Sequence, residues 1–204
     1  MLKKLSIIVA CAASAFALHN AELNINDKDL EVGAQFDVGQ FNDAVEPNTM
    51  FVGAKFLSAD STHSTDDVST INPYFEGNFL IMREVGKLGM SFGMGAKLNY
   101  TKVEETDFSA LPLGVEFAYK IPAPELVPMS INGSLYYAPQ VLSFAEGKDY
   151  LEYRIHYDVE LIQNAGLTLG YRSLNTTFKD SVGTKNKNSI NYNASWYFGF
   201  KVKF

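Results

Sequence analysis

The chain has 204 residues, enough for a single all-β domain, with 13 % aromatic residues and a formal charge of −6. An acidic chain without a basic block argues against nucleic acid as a partner. The single cysteine, Cys11, falls in an N-terminal leader, so disulfides, thiol catalysis and cysteine metal sites are excluded from the rest.

The leader has the layout of an export signal. Lys3 and Lys4 form a basic start, Leu5 to Ala15 an apolar run, and Ala15-Phe16-Ala17 a small-residue cleavage site. Cleavage after Ala17 is expected, leaving residues 18–204 as the mature domain. The apolar run is too short to span a bilayer as a helix. Ile8-Val9-Ala10-Cys11 loosely matches a lipoprotein box, but it would leave a stunted apolar region after Lys4. Loss of two lysines takes the charge from −6 to near −8. No later run approaches the length of a membrane helix.

From Ala21 onward the pattern is strands and turns. Ala21 to Asn26 is short. Leu30 to Gln40 places Leu30, Val32, Ala34, Phe36 and Val38 on one face, and Thr49 to Ser58 does so with Met50, Val52, Ala54 and Phe56. Ile71 to Met82 carries Phe75, Phe79 and Ile81 in phase, with Pro73 marking a strand beginning. Leu88 to Val103 alternates Met90, Phe92, Met94, Ala96, Leu98 and Tyr100 against Gly89, Ser91, Gly93, Gly95, Lys97, Asn99 and Thr101. Small inner residues relieve crowding in a narrow barrel. Leu111 to Ile121, Met129 to Phe144, Tyr150 to Ile162 and Leu167 to Phe178 follow.

The last stretch, Asn188 to Phe204, is the longest alternation. Ile190, Tyr192, Ala194, Trp196, Phe198, Phe200, Val202 and Phe204 share one face. Strands in soluble domains usually run five or six residues, whereas tilted strands of about ten residues suit a membrane barrel. The expected fold is an all-β, closed antiparallel transmembrane β-barrel in the bacterial outer membrane, with ten strands, or eight if two segments merge. Counting back from the C-terminus, the outer loops are Lys179–Asn188, Ala145–Asp149, Glu104–Ser109 and Ala59–Thr70. The periplasmic turns are Gln163–Gly166, Pro122–Pro128, Glu84–Lys87 and Asn42–Asn48.

Alternation alone does not say which face is outside, because a lipocalin-like soluble barrel has the same period with its apolar side inward. Long strands and an aromatic C-terminal residue favour lipid. So does the strand at Tyr150, which sets Glu152, Arg154, His156, Asp158 and Glu160 against Leu151, Tyr153, Ile155, Tyr157, Val159 and Leu161.

Three segments, LPLGVEF (Leu111–Phe117), LYYAPQVLSFAEGKDYLEYRIHYDVELI (Leu135–Ile162) and LGYRSLNTTF (Leu169–Phe178), resemble the YfaZ-type outer-membrane protein family, and the closing WYFGFKVKF matches its style of ending. The resemblance implies a bacterial outer-membrane barrel of porin type. It supplies no catalytic residues.

Glu152, Arg154, His156, Asp158 and Glu160 stand about 7 Å apart in succession on one face. With Arg172, Lys201 and Lys203 they form a candidate lumen charge network. It either sets ion selectivity, with His156 as a pH-responsive element, or forms a salt-bridged plug, and the plug is favoured. Trp196, Phe198, Phe200, Val202 and Phe204 form a candidate signal for the outer-membrane assembly machinery. His63, Asp66 and Asp67 suggest a rim enzyme acting on lipid or peptide only weakly. Glu104, Glu105 and Asp107 read as a solvated acidic loop, with a divalent-cation site as the alternative. Tyr136 and Tyr137 are expected in an aromatic girdle. No cofactor or metal motif is present. The expected function is a narrow porin or a structural barrel with a polar, plugged lumen, with outer-membrane lipid, the assembly machinery and small solutes or ions as partners. Surface interaction through the outer loops is a further alternative.

Overall fold

The computed structural model describes residues 19–27, 29–59, 72–86, 89–122, 127–182 and 187–204. The leader, its cleavage site and the His63, Asp66 and Asp67 loop lie outside them. The strands are β1 (Asn20–Ile25), β2 (Leu30–Asp37), β3 (Met50–Ser58), β4 (Tyr74–Val85), β5 (Met90–Val103), β6 (Thr106–Ala110), β7 (Leu113–Ile121), β8 (Met129–Ala138), β9 (Ser143–Ala145), β10 (Gly147–Ile162), β11 (Ala165–Val182) and β12 (Lys187–Lys203).

Ten of them close a ring in the order β4-β3-β2-β1-β12-β11-β10-β8-β7-β5, with β5 returning to β4, and every pairing is antiparallel. The expected ten-strand barrel is therefore the fold. The seam joins the first and last strands, from Asn20↔Lys203 to Ile25↔Phe198. The barrel end at Asn20 and Lys203 is the termini end, and the opposite end is the loop end.

Period-two alternation sorts the residues between two faces. Phe75, Phe79, Met94, Leu98, Ile155, Trp196 and Phe198 are exposed on the outside, while Glu31, Glu76, Lys97, Glu152, Arg154 and Arg172 are buried within. Glycines inside make room for bulky neighbours. A Cβ at Gly95 or Gly114 would collide with Tyr136, and one at Gly170 with Tyr197.

Several local expectations give way at the strand ends. β2 stops at Asp37, not Gln40, because the Asp37 carboxylate accepts from Gly39 N (3.0 Å) and Asn48 N (2.7 Å) and caps a 3-10 turn at Val38–Gln40. The segment 104–109 is not simply a loop, since β6 pairs along the end of β5. The expected strand 129–144 breaks at Pro139 into β8 and β9, and β9 pairs with β6. The segment 145–149 is mostly the start of β10. The expected 179–188 loop is largely strand, because β11 continues to Val182 and β12 begins at Lys187.

Tyr136 is a correction in orientation. Tyr137 faces out at 50 % exposure, but Tyr136 points inward, is 1 % exposed, and donates its hydroxyl to Glu116 Oε1 at 2.7 Å. A second correction in orientation concerns β12. The register slips between Leu174↔Asn193 and Asn175↔Asn191, a bulge that skips Tyr192. Ile190 and Tyr192 are consequently buried inside, not on the outer apolar face.

Candidate functional site: the barrel interior

The interior has three tiers. The loop-end tier is apolar. Leu57, Tyr74, Val103, Phe108, Tyr150, Leu174, Phe178, Ile190 and Tyr192 form one buried cluster. Tyr74 on β4 and Tyr150 on β10 come from nearly opposite walls, yet their hydroxyls are 2.7 Å apart. Tyr192 also crosses the lumen, contacting the Tyr74 ring at 5.6 Å and donating to the Asn72 carbonyl. Phe108, carried by β6, meets Tyr150 and Phe178 at centroid distances of 6.0 and 5.6 Å.

Local sequence explains this closure. β6 continues β7, and β9 continues β8, across two proline joints, Pro112 and Pro139, linked by Leu111 N donating to Leu142 O (2.8 Å). Proline lacks the amide that would carry a regular ladder through these joints. Nearby, the β1–β2 hairpin is short, and the bulge at Tyr192 lets the longer β11–β12 hairpin reach β4.

The middle tier is charged. Glu31 is its centre. Arg154 grips both of its oxygens (Nη1–Oε1 2.7 Å, Nη2–Oε2 2.8 Å), and Arg172 Nη1 adds a contact at 2.7 Å. Asn24 Nδ2 donates to the same carboxylate at 2.8 Å. Both guanidinium groups lie against the Tyr197 ring, at 5.6 and 5.4 Å. A second centre is Lys97, which bridges Glu76 (3.1 Å) and Glu152 (2.8 Å) and stands 4.1 Å over the Tyr136 ring. Tyr150 OH donates to Glu152 Oε2 at 3.0 Å, tying this tier to the apolar one. Lys55 pairs with Glu22 at 2.8 Å.

The sequence-derived network thus divides. Glu152, Arg154 and Arg172 belong to this middle tier. His156, Asp158 and Glu160 lie lower, toward the termini end. Asp158 accepts from Lys201 at 2.8 Å and Thr168 at 2.6 Å, with His156 Nε2 at 3.7 Å. Glu160 pairs with Lys203 at the half-exposed rim. The sequence reading did not single out Glu22, Glu31, Lys55 or Glu76 as charge-network members. Their signal was present: each occupies a polar-phase position on a strand whose alternate residues are apolar. Among the described residues no cluster of His, Cys, Asp or Glu suits a metal ion.

The third tier is a cavity of about 280 Å³. Its lining runs from Lys55, Glu76, Lys97 and Arg154 at the floor to His19, Asn20, Lys120, Lys201 and Lys203 at the termini end.

A family model described as YfaZ precursor matches residues 4–204. The chain belongs to the YfaZ family. No curated protein and no solved structure matches it. The YfaZ match spans all ten barrel strands. Within that YfaZ barrel, the sequence-derived assembly-signal residues Trp196, Phe198 and Phe200 project from the outer face of β12, Val202 is half-buried, and Phe204 lies one residue past the strand. The Phe204 amide donates to His19 O at 3.1 Å.

Proposed function

We propose that this protein is an exported outer-membrane barrel whose lumen is closed, a structural barrel and not a general diffusion pore. Its polarity supports the membrane half of that reading. Large apolar side chains cover the outside and charges fill the inside, the reverse of a lipocalin-like barrel in water. A contiguous exposed apolar belt of this kind is rare on a monomeric soluble protein. Strands β10, β11 and β12, at 16, 18 and 17 residues, exceed the ten or so needed to cross. Lipid would be its main surrounding partner and the assembly machinery its transient one. The reading assigns it no catalysis.

The closed-lumen half rests on one observation: Tyr74 and Tyr150 reach each other from facing walls. Below them Glu31 and Lys97 draw the walls together again through buried ion pairs. A barrel of this size has an interior mostly filled by side chains, and this one is filled in two successive layers. Liposome swelling tests the proposal. Vesicles carrying the refolded protein and challenged with a pentose should swell no faster than protein-free vesicles. Swelling proportional to protein content would remove the structural reading and restore the narrow porin.

A further inference from the structure

We propose that the cavity at the termini end is a binding site for a small amphiphile with one anionic head, entering from that end only. Its two sides differ in chemistry. Phe51 on β3 faces Leu80 on β4 in register, and Met82 follows on the same face of β4. Phe51 and Leu80 are buried, at 6 and 4 % exposure, and Phe117 also lines the cavity. Gly93 keeps that wall flat, because a Cβ there would stand 2.9 Å from Leu80 Cδ1. Across the lumen the lining is Asn132, Asp158, Lys201 and Lys203, with Lys120 beside them. An apolar arc facing a polar, charged arc fits a ligand with an apolar body and a polar head.

The sign of the head follows from the pairing. Each acid in the lining already has a partner: Glu22 has Lys55, Glu76 has Lys97, Asp158 has Lys201, and Glu116 accepts from the Tyr136 hydroxyl. Among the described residues, Lys120 is the lining cation with no acidic partner. A cationic head would find no free carboxylate, whereas an anionic head would complete Lys120. Size follows from the volume. At about 280 Å³ the cavity lies just under the range of roughly 300–1,000 Å³ usual for small-molecule sites, which excludes a whole phospholipid.

The site does not require conduction, so its test is separate from liposome swelling. The full chain, held in lipid nanodiscs to avoid detergent, is titrated calorimetrically with 4-phenylbutyrate, 4-phenylbutanol and 4-phenylbutylamine. The carboxylate should bind saturably, the alcohol more weakly, and the amine not at all. Lys120→Gln removes one exposed charge contact and should weaken the carboxylate about two- to fivefold while leaving the alcohol unchanged. Leu80→Asn should weaken both; heat-modifiable migration checks that each variant is folded. Equal binding of all three probes, or of none, would overturn the proposal. So would a Lys120→Gln variant that binds the carboxylate as the parent does.

Discussion

Glu31 shows what a buried charge requires in this interior. Two arginines and one asparagine converge on its carboxylate, and all four side chains reside in or beside the lumen wall. Removing one member of a buried pair leaves the other charged and undersolvated, at about 3–5 kcal/mol. Glu31→Gln should therefore lower the unfolding free energy of the refolded barrel, measured by denaturant titration, by that much. Lys203 at the rim has a partner too, but its side chain is 49 % exposed. There water replaces the partner, and Lys203→Gln should change stability by less than about 1 kcal/mol. Equal effects of the two variants would mean that the middle tier is far wetter than its burial indicates. Tyr150 works differently. Tyr150→Phe keeps the ring in the plug but leaves Glu152 without its hydroxyl donor, for an expected loss of about 1–3 kcal/mol in the same unfolding measurement.

At the scale of elements, the joints decide whether the barrel is open. Phe108 enters the lumen because β6 continues β7 past Pro112. Gly147 opposes it so closely that an added Cβ would lie 3.0 Å from the Phe108 ring and from Phe144 O. Gly147→Ala should destabilise the fold by about 1–3 kcal/mol, as overpacking does, and Phe108→Leu should recover part of that loss in a double-mutant cycle of unfolding midpoints. These joints also mark where the sequence was readable. Ten strands and the common phase of Glu152 and Arg154 followed from alternation, because one period governs every long strand; their inward direction followed from strand length and the aromatic end of the chain. Alternation carries no information about a bulge, so Ile190 and Tyr192 were assigned outward. For the two tyrosines the signal was present: neighbours on a strand face opposite ways, and Tyr136 shares the polar phase of Ser130, Asn132 and Ser134, so only Tyr137 belongs to an outer girdle. The partners of Arg154 and Arg172 were hidden for a different reason. Glu31 lies 123 and 141 residues away along the chain, and only closure of the ring brings it near. The aromatic end of β12 raises a separate expectation. Deleting Phe204 removes one exposed side chain and one backbone contact, so refolding in detergent should barely change. Assembly in cells should fall sharply if that end is read by the assembly machinery, which fractionation of outer membranes would measure. Equal loss in both settings would leave only packing as its role.

For the molecule as a whole, polarity and closure answer different questions. Apolar residues outside and charges inside speak to where the barrel resides. Side chains meeting across the lumen speak to what passes through it, and the two tiers close it twice. The apolar tier combines wall residues such as Tyr74 and Tyr150 with Phe108 from β6, while the charged tier comes from the wall strands alone. Removing Tyr74, Phe108 and Tyr150 would therefore still leave Glu31 and Lys97 bridging the walls below. The most direct test is single-channel recording in planar bilayers, comparing the wild-type chain with a Tyr74→Ala, Phe108→Ala, Tyr150→Ala variant. The wild type should show no conductance above the bare bilayer, and the variant at most brief, small openings. Steady, ohmic conductance from the wild type would contradict the closed lumen.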